Sequence, residues 1–177
     1  MKFRTLNADE IEVRVQQVTE KGAILLLYKD ARCDMRVLDE VVGPTNWQRK
    51  HYELKGNIYA SVGIKAIAFE GGGNDSDEWI WKDDAGAESN TEAVKGEASD
   101  SFKRACFNWG IGRELYTSPF IWVDVKNITT YKNMKTGKLG TYDKFEIEAI
   151  EYDDGVIKAL AIRNKKTKTH VYGWRSA

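Results

Sequence analysis

The longest stretch of helical periodicity in the chain runs from Glu92 to Tyr116, and it limits the fold more than any other segment. Val94, Ala98, Phe102, Ala105, Cys106 and Trp109 recur at helical spacing, and at 100° per residue they share an arc of roughly 120°. An arc of that width is the core-facing stripe of a helix packed on a sheet or on other helices. Asp100, Lys103, Arg104 and Phe107 fall on the opposite side. Asn90 or Thr91 is placed to cap the start, with glutamates in the first turn, and Gly110 and Gly112 end the helix. The outer side reads in two ways. It is a solvated face with an ordinary Asp100–Arg104 pair one turn apart, or it is a cationic ridge carrying an aromatic one turn on.

Three strands are expected ahead of this helix. Trp47 to Leu54 is followed by a turn at Lys55-Gly56-Asn57, then by a long alternating strand from Ile58 to Phe69. Ile58, Ala60, Val62, Ile64, Ala66 and Ala68 take one of its faces. Tyr59, Ser61, Gly63, Lys65, Ile67 and Phe69 take the other. Glu70 to Asp75 is a glycine-rich hairpin tip. Glu78 to Lys82 returns, with Trp79 and Trp81 side by side, and Asp83-Asp84-Ala85-Gly86 reads as a turn. The expected fold is therefore α+β, a β-β-β-α core in which an antiparallel sheet packs against one long helix.

Upstream, Ala8 to Val18 reads as a short helix capped by Asn7, with Ile11, Val15 and Val18 as its stripe. The apolar run Ala23 to Tyr28 is a buried strand. Asp30 caps a second helix, whose buried set is Val37, Leu38, Val41 and Val42, and Gly43-Pro44 stops it. Beyond Tyr116, Phe120–Tyr131, Phe145–Tyr152, Val156–Arg163 and Thr169–Trp174 are strand-like, with Asp153-Asp154-Gly155 as a hairpin turn. They form a small C-terminal β appendage or add strands to the main sheet. The expected division is a core over 1–118 and a β-rich extension over 119–177, within one globular unit.

With 177 residues, 42% of them hydrophobic and six tryptophans, the chain has enough apolar material for a core. Its formal net charge is zero, so the whole molecule has no bulk attraction for nucleic acid, and any polyanion site has to come from charge segregation. Such segregation exists. Acids dominate from Asp75 to Asp100, whereas Lys126 to Lys138 and Arg163 to Lys168 are basic. The two cysteines and two histidines lack ligand spacing, which argues against a disulfide framework and a zinc site. No run approaches 18 apolar residues, and no leader-like segment opens the chain, so a cytoplasmic protein without membrane spans is expected. Lys135 to Thr141 lacks the upstream glycine, the hydroxyl after the lysine and the following helix of a phosphate loop, and reads as a lysine-rich hairpin. Glu78, Asp83, Asp84 and Glu88 are imaginable as magnesium ligands of a nuclease.

Three blocks together resemble a known family. They are Leu6–Val18, Tyr28–Trp47 with Arg36-Val37-Leu38 and Asn46-Trp47, and Ala98–Ala105 closing in Trp109-Gly110-Ile111-Gly112-Arg113. In order and spacing they are similar to the Sak-type phage single-strand annealing proteins, relatives of the eukaryotic recombination mediator Rad-fifty-two. The likeness covers about residues 6 to 118. It implies an ATP-independent, non-enzymatic protein without cofactor or metal, which binds single-stranded DNA and anneals complementary strands in recombination and repair. It also implies a homo-oligomeric ring or filament in a bacterial host, with a phage exonuclease or a host single-strand-binding protein as further partners. The family's DNA groove is lined by an arginine of the short helix and a Lys-Arg pair of the long one. These map to Arg36, Lys103 and Arg104. A further basic residue of some relatives is replaced here by Phe107, which either weakens phosphate contact or offers a stacking surface for bases. Lys65, with Tyr59 beside it, is a second-tier candidate. A binding module that coats single strands without annealing them is the alternative, and the nuclease is the remote one. The surplus tryptophans Trp47, Trp79, Trp81 and Trp122 belong to the core or to contacts between subunits.

Overall fold

A computed structural model describes residues 1–66, 78–87 and 93–177. The hairpin tip expected at Glu70–Asp75, the strand end at 67–69, Glu88 and the Asn90 or Thr91 cap lie outside the described residues, as does the side chain of Val94. In chain order the elements are β1 (Glu12–Val18), β2 (Gly22–Tyr28), α1 (Ala31–Val42), β3 (Trp47–Leu54), β4 (Asn57–Lys65), β5 (Trp79–Ala85) and α2 (Ala93–Trp109). There follow β6 (Ile121–Asp124), β7 (Thr130–Lys132), β8 (Leu139–Thr141), β9 (Phe145–Asp153), β10 (Val156–Asn164) and β11 (His170–Arg175). The class is α+β, with two helices and a large antiparallel sheet. The chain divides into two compact units. One joins residues 1–4 to 29–112, and the other joins 5–28 to 113–177.

In the first unit β3, β4 and β5 form an antiparallel sheet in that order. Lys55 and Gly56 make the β3–β4 turn with positive φ at both positions, 53° and 79°, the geometry that two-residue hairpins favour. α2 lies against β4 and β5, and α1 against α2 and β3. The periodic stripe of α2 becomes the centre of this layer. Phe102, Ala105 and Cys106 are fully buried alongside Ala60, Val62 and Ile64 of β4 and Val37 and Leu38 of α1. Trp109 stays at the margin and donates its indole N–H to the Val62 carbonyl at 2.9 Å. α1 starts at Asp30, whose carboxylate accepts the Cys33 N–H at 2.7 Å, and stops at Gly43, where φ is +85°. Two expectations need correction here. Asp83 and Asp84 lie within strand β5 rather than turning the chain, because both pair with β4 and each side chain finds a partner: Ser61 of β4 for Asp83 and Asn108 of α2 for Asp84. The buried set of α1 also includes Cys33 and Asp34, whereas Val41 is only half-buried.

In the second unit six strands make one antiparallel sheet, in the order β11-β10-β9-β1-β2-β6. The helix expected over Ala8–Val18 is one 3-10 turn, Ala8–Glu10, followed by β1. Ile11, Val13 and Val15 also fit a period of two, and β-branched side chains pack well on a pleat. Pairing with β2 settles the choice, since this apolar strand follows β1 directly across a short turn and supplies a ladder. The late strands are therefore no small appendage. β9 pairs with β1, and the N-terminal hairpin lies in mid-sheet. The strand expected over Phe120–Tyr131 is broken by a 3-10 turn at Val125–Asn127, capped by Asp124 through the Lys126 N–H. Asp154 and Gly155 turn β9 into β10 with φ of 44° and 73°. β7 and β8 form the lysine-rich hairpin as a separate two-stranded ribbon. Among the described residues no helix is long and apolar enough to cross a membrane.

Candidate nucleic-acid interface

Four of the five residues singled out from sequence lie on the two helices of the first unit, and the fifth lies on its sheet. Arg36 is exposed on α1, on the flank away from the buried Cys33, Val37 and Leu38. Lys103 and Arg104 stand on the outer side of α2, where Arg104 is exposed and Lys103 is half-buried. Both are tied to one carboxylate. Asp100 accepts Arg104 Nε at 2.9 Å and lies 3.5 Å from Lys103 Nζ. It also accepts the Ala87 N–H at 3.1 Å. Burial pushes the Asp100 carboxyl up, but the Ala87 hydrogen bond, the Arg104 hydrogen bond and the two cations outweigh it and hold it below the usual carboxylate range. Phe107, one turn further on, is half-buried rather than a freely projecting ring.

α2 is anchored from beneath by a charged pair that the sequence reading overlooked. The ammonium of Lys29 donates to Asp34, and it also reaches the main-chain carbonyl of Lys103 at 3.4 Å. Both side chains are buried. The anchor thus touches the backbone of the very residue whose side chain is the candidate phosphate ligand. Burial lifts the Asp34 pKa to about 6 even against the charge of Lys29. The second oxygen of Asp34 has no hydrogen-bond partner among the described residues. The available signal was the position of Asp34, which falls on the same helical face as Val37 and Leu38.

Lys65 belongs to a different surface. β4 alternates, so Lys65 points away from α2, and its ammonium lies 5.6 Å from the centre of the Trp79 ring. Of the acids considered as metal ligands, Asp83 and Asp84 do not converge. Asp83 and Asp84 are neighbours on β5 and face opposite sides of the sheet. Asp83 accepts the Tyr52 hydroxyl at 2.9 Å, and Asp84 accepts the Asn108 amide at 3.2 Å. Among the described residues no three His, Cys, Asp or Glu side chains are grouped to hold a metal.

A family model described as the Rad52/22 family double-strand break repair protein matches residues 3–134, three-quarters of the chain. The chain belongs to the Rad52/22 family. The matched span takes in Arg36, Lys65, Lys103, Arg104 and Phe107, together with all of α1, β3, β4, β5 and α2. It ends between β7 and β8, so the Rad52/22 match does not cover β8 to β11. Family membership places this Rad52/22 chain in DNA recombination and repair. No curated protein and no solved structure matched it.

Proposed function

We propose that this protein binds single-stranded DNA by its sugar-phosphate backbone and anneals complementary strands without ATP, as an oligomer of ring or filament form. The observation that carries this reading is the cationic outer side of α2 in a chain of the Rad52/22 family. Lys103 and Arg104 are presented there by a helix that is itself fixed by a buried core, and exposed Arg36 stands on the helix packed against it. Annealing needs phosphates held and base edges left free, and cations on a rigid helix meet the first need without reading sequence. Zero net charge is compatible with this, because repetition around an oligomer concentrates Arg36, Lys103 and Arg104 in one place, where Asp100 offsets only part of their charge. The three sequence blocks support a place in the Sak-type phage subgroup, and a phage exonuclease or a host single-strand-binding protein is the partner class it suggests. The test mixes two complementary oligonucleotides with the protein, without nucleotide, at low salt. Duplex should form faster than in its absence. Binding without acceleration assigns the protein to the strand-coating alternative, and no binding at all rejects both.

A further inference from the structure

The face of the β3–β4–β5 sheet turned away from α2 carries an arrangement that the backbone track does not use. Strand register places Trp79 beside Lys65 and Trp81 beside Gly63, with Lys50 opposite Ser61 in the next row. Adding a Cβ at Gly63 would put it 2.8 Å from the Trp81 ring, so the missing side chain is what lets that indole lie down on the strand. Trp79 and Trp81 are 6.0 Å apart centre to centre, which is one pleat repeat along β5. Lys50 holds its ammonium 4.2 Å from the Trp81 ring centre, and Lys65 does the same over Trp79 at 5.6 Å. Lys50 is exposed, and Tyr52 on the same face is 41% exposed. Among the described residues the anion of this face is Asp83, which is engaged by Ser61 and Tyr52, beyond Trp81 and away from Trp79.

We propose that this outer sheet face is a stacking platform for the bases of a single nucleic-acid strand. Bases stack on the half-buried Trp79 and Trp81 in place of the Lys50 and Lys65 ammonium groups, which swing aside to neutralise the neighbouring phosphates. The proposal rests on the single-strand reading above and adds a second, base-contacting surface to it. Charge and chemistry select the occupant. Two flat aromatic rings at one pleat spacing, each with its own ammonium, match a ladder of bases and phosphates. A purely apolar protein partner would leave both ammonium groups without an anion. Each base has a ring face whatever its identity, so the platform tolerates any sequence. Asp83 repels phosphate, which sends the strand along the Trp79–Trp81 end of the sheet.

The experiment measures fluorescence anisotropy of a labelled oligothymidine and of an abasic oligonucleotide of equal length. Wild type is expected to prefer the oligothymidine by about tenfold or more, given the stacking energy per base. Trp79→Ala with Trp81→Ala should erase that preference and leave abasic binding unchanged, whereas Trp79→Phe with Trp81→Phe should keep most of it. Equal binding of both probes by wild type overturns the platform and leaves the backbone reading standing; binding of neither sinks the backbone reading first. A base preference that survives in the alanine pair overturns the platform as well. So does a change in particle mass by light scattering, which would make this face a contact between copies. If the alanine pair fails to fold, Lys50→Met with Lys65→Met leaves both rings in place and should weaken binding of both probes; unchanged affinity there overturns the proposal.

Discussion

Asp100 sits between the candidate phosphate ligands and their ligand. Its two oxygens engage Arg104 Nε at 2.9 Å and Lys103 Nζ at 3.5 Å, so a phosphate arriving at this helix competes with a carboxylate already in place. Asp100→Asn removes the charge while keeping an oxygen for the Ala87 N–H. Each surface pair of this kind holds its partners by about 0.2–1 kcal/mol, so releasing both cations gives about 0.4–2 kcal/mol. That corresponds to a Kd for single-stranded DNA lower by about 2- to 30-fold. Anisotropy titrations of a labelled oligonucleotide at two ionic strengths would measure it, and the gain should shrink at the higher salt. The same substitution should lower thermal stability at neutral pH. The Asp100 pKa is depressed by folding, so its contribution is present above the ordinary carboxylate pKa and is lost as pH falls. Unchanged or weaker DNA affinity, with the circular dichroism spectrum intact, would refute the idea that Lys103 and Arg104 meet phosphate.

Other outcomes are expected from the same structure. Lys103→Ala with Arg104→Ala should weaken single-strand binding and reduce the slope of log K against log salt by roughly 1.4, about 0.7 per phosphate contact. An unchanged slope would place the track elsewhere. Phe102→Ala should destabilise the first unit by about 3–5 kcal/mol in denaturant titration, because the ring is fully buried at the centre of its core. Asp34 gives the opposite pH signature to Asp100. Its pKa is raised on folding, so the folded state holds the proton more tightly, and its contribution to stability falls as pH rises from about 4 to about 6. Urea titrations across that window should show the fall in wild type and a flatter profile in Asp34→Asn.

The parts of the fold that could be read in advance were those where one periodicity stood alone. The stripe on α2 spans about four turns with little competing alternation, and the capping Asp30 and terminal Gly43 bracket α1 unmistakably. Residues 8–18 failed because Ile11, Val15 and Val18 satisfy a helical period while Ile11, Val13 and Val15 satisfy a strand period. Only the β2 ladder, a tertiary fact, decides between them. Asp83 and Asp84 looked like turn residues by composition, and the partners that keep them in β5 lie more than twenty residues away. The cations of the candidate track were legible from their helical phase. The Asp100–Arg104 pair was legible from the same spacing, whereas the sharing of that carboxylate with Lys103 was not, because helical spacing does not say how many cations one carboxylate holds. The two-tryptophan surface was visible as alternation, but Lys50 acquires meaning only once the β3–β4 register brings it across to Trp81.

The middle position of the first hairpin in the large sheet has a bearing on biosynthesis. β1 and β2 leave the ribosome early, yet β9, the neighbour that closes the open flank of β1, is encoded more than a hundred residues later. Until it arrives, the peptide groups of β1 at Val13, where β9 pairs, are available to any passing β-segment. Slow or stalled translation through the second half should therefore leave nascent chains that depend on chaperones and readily adhere to one another.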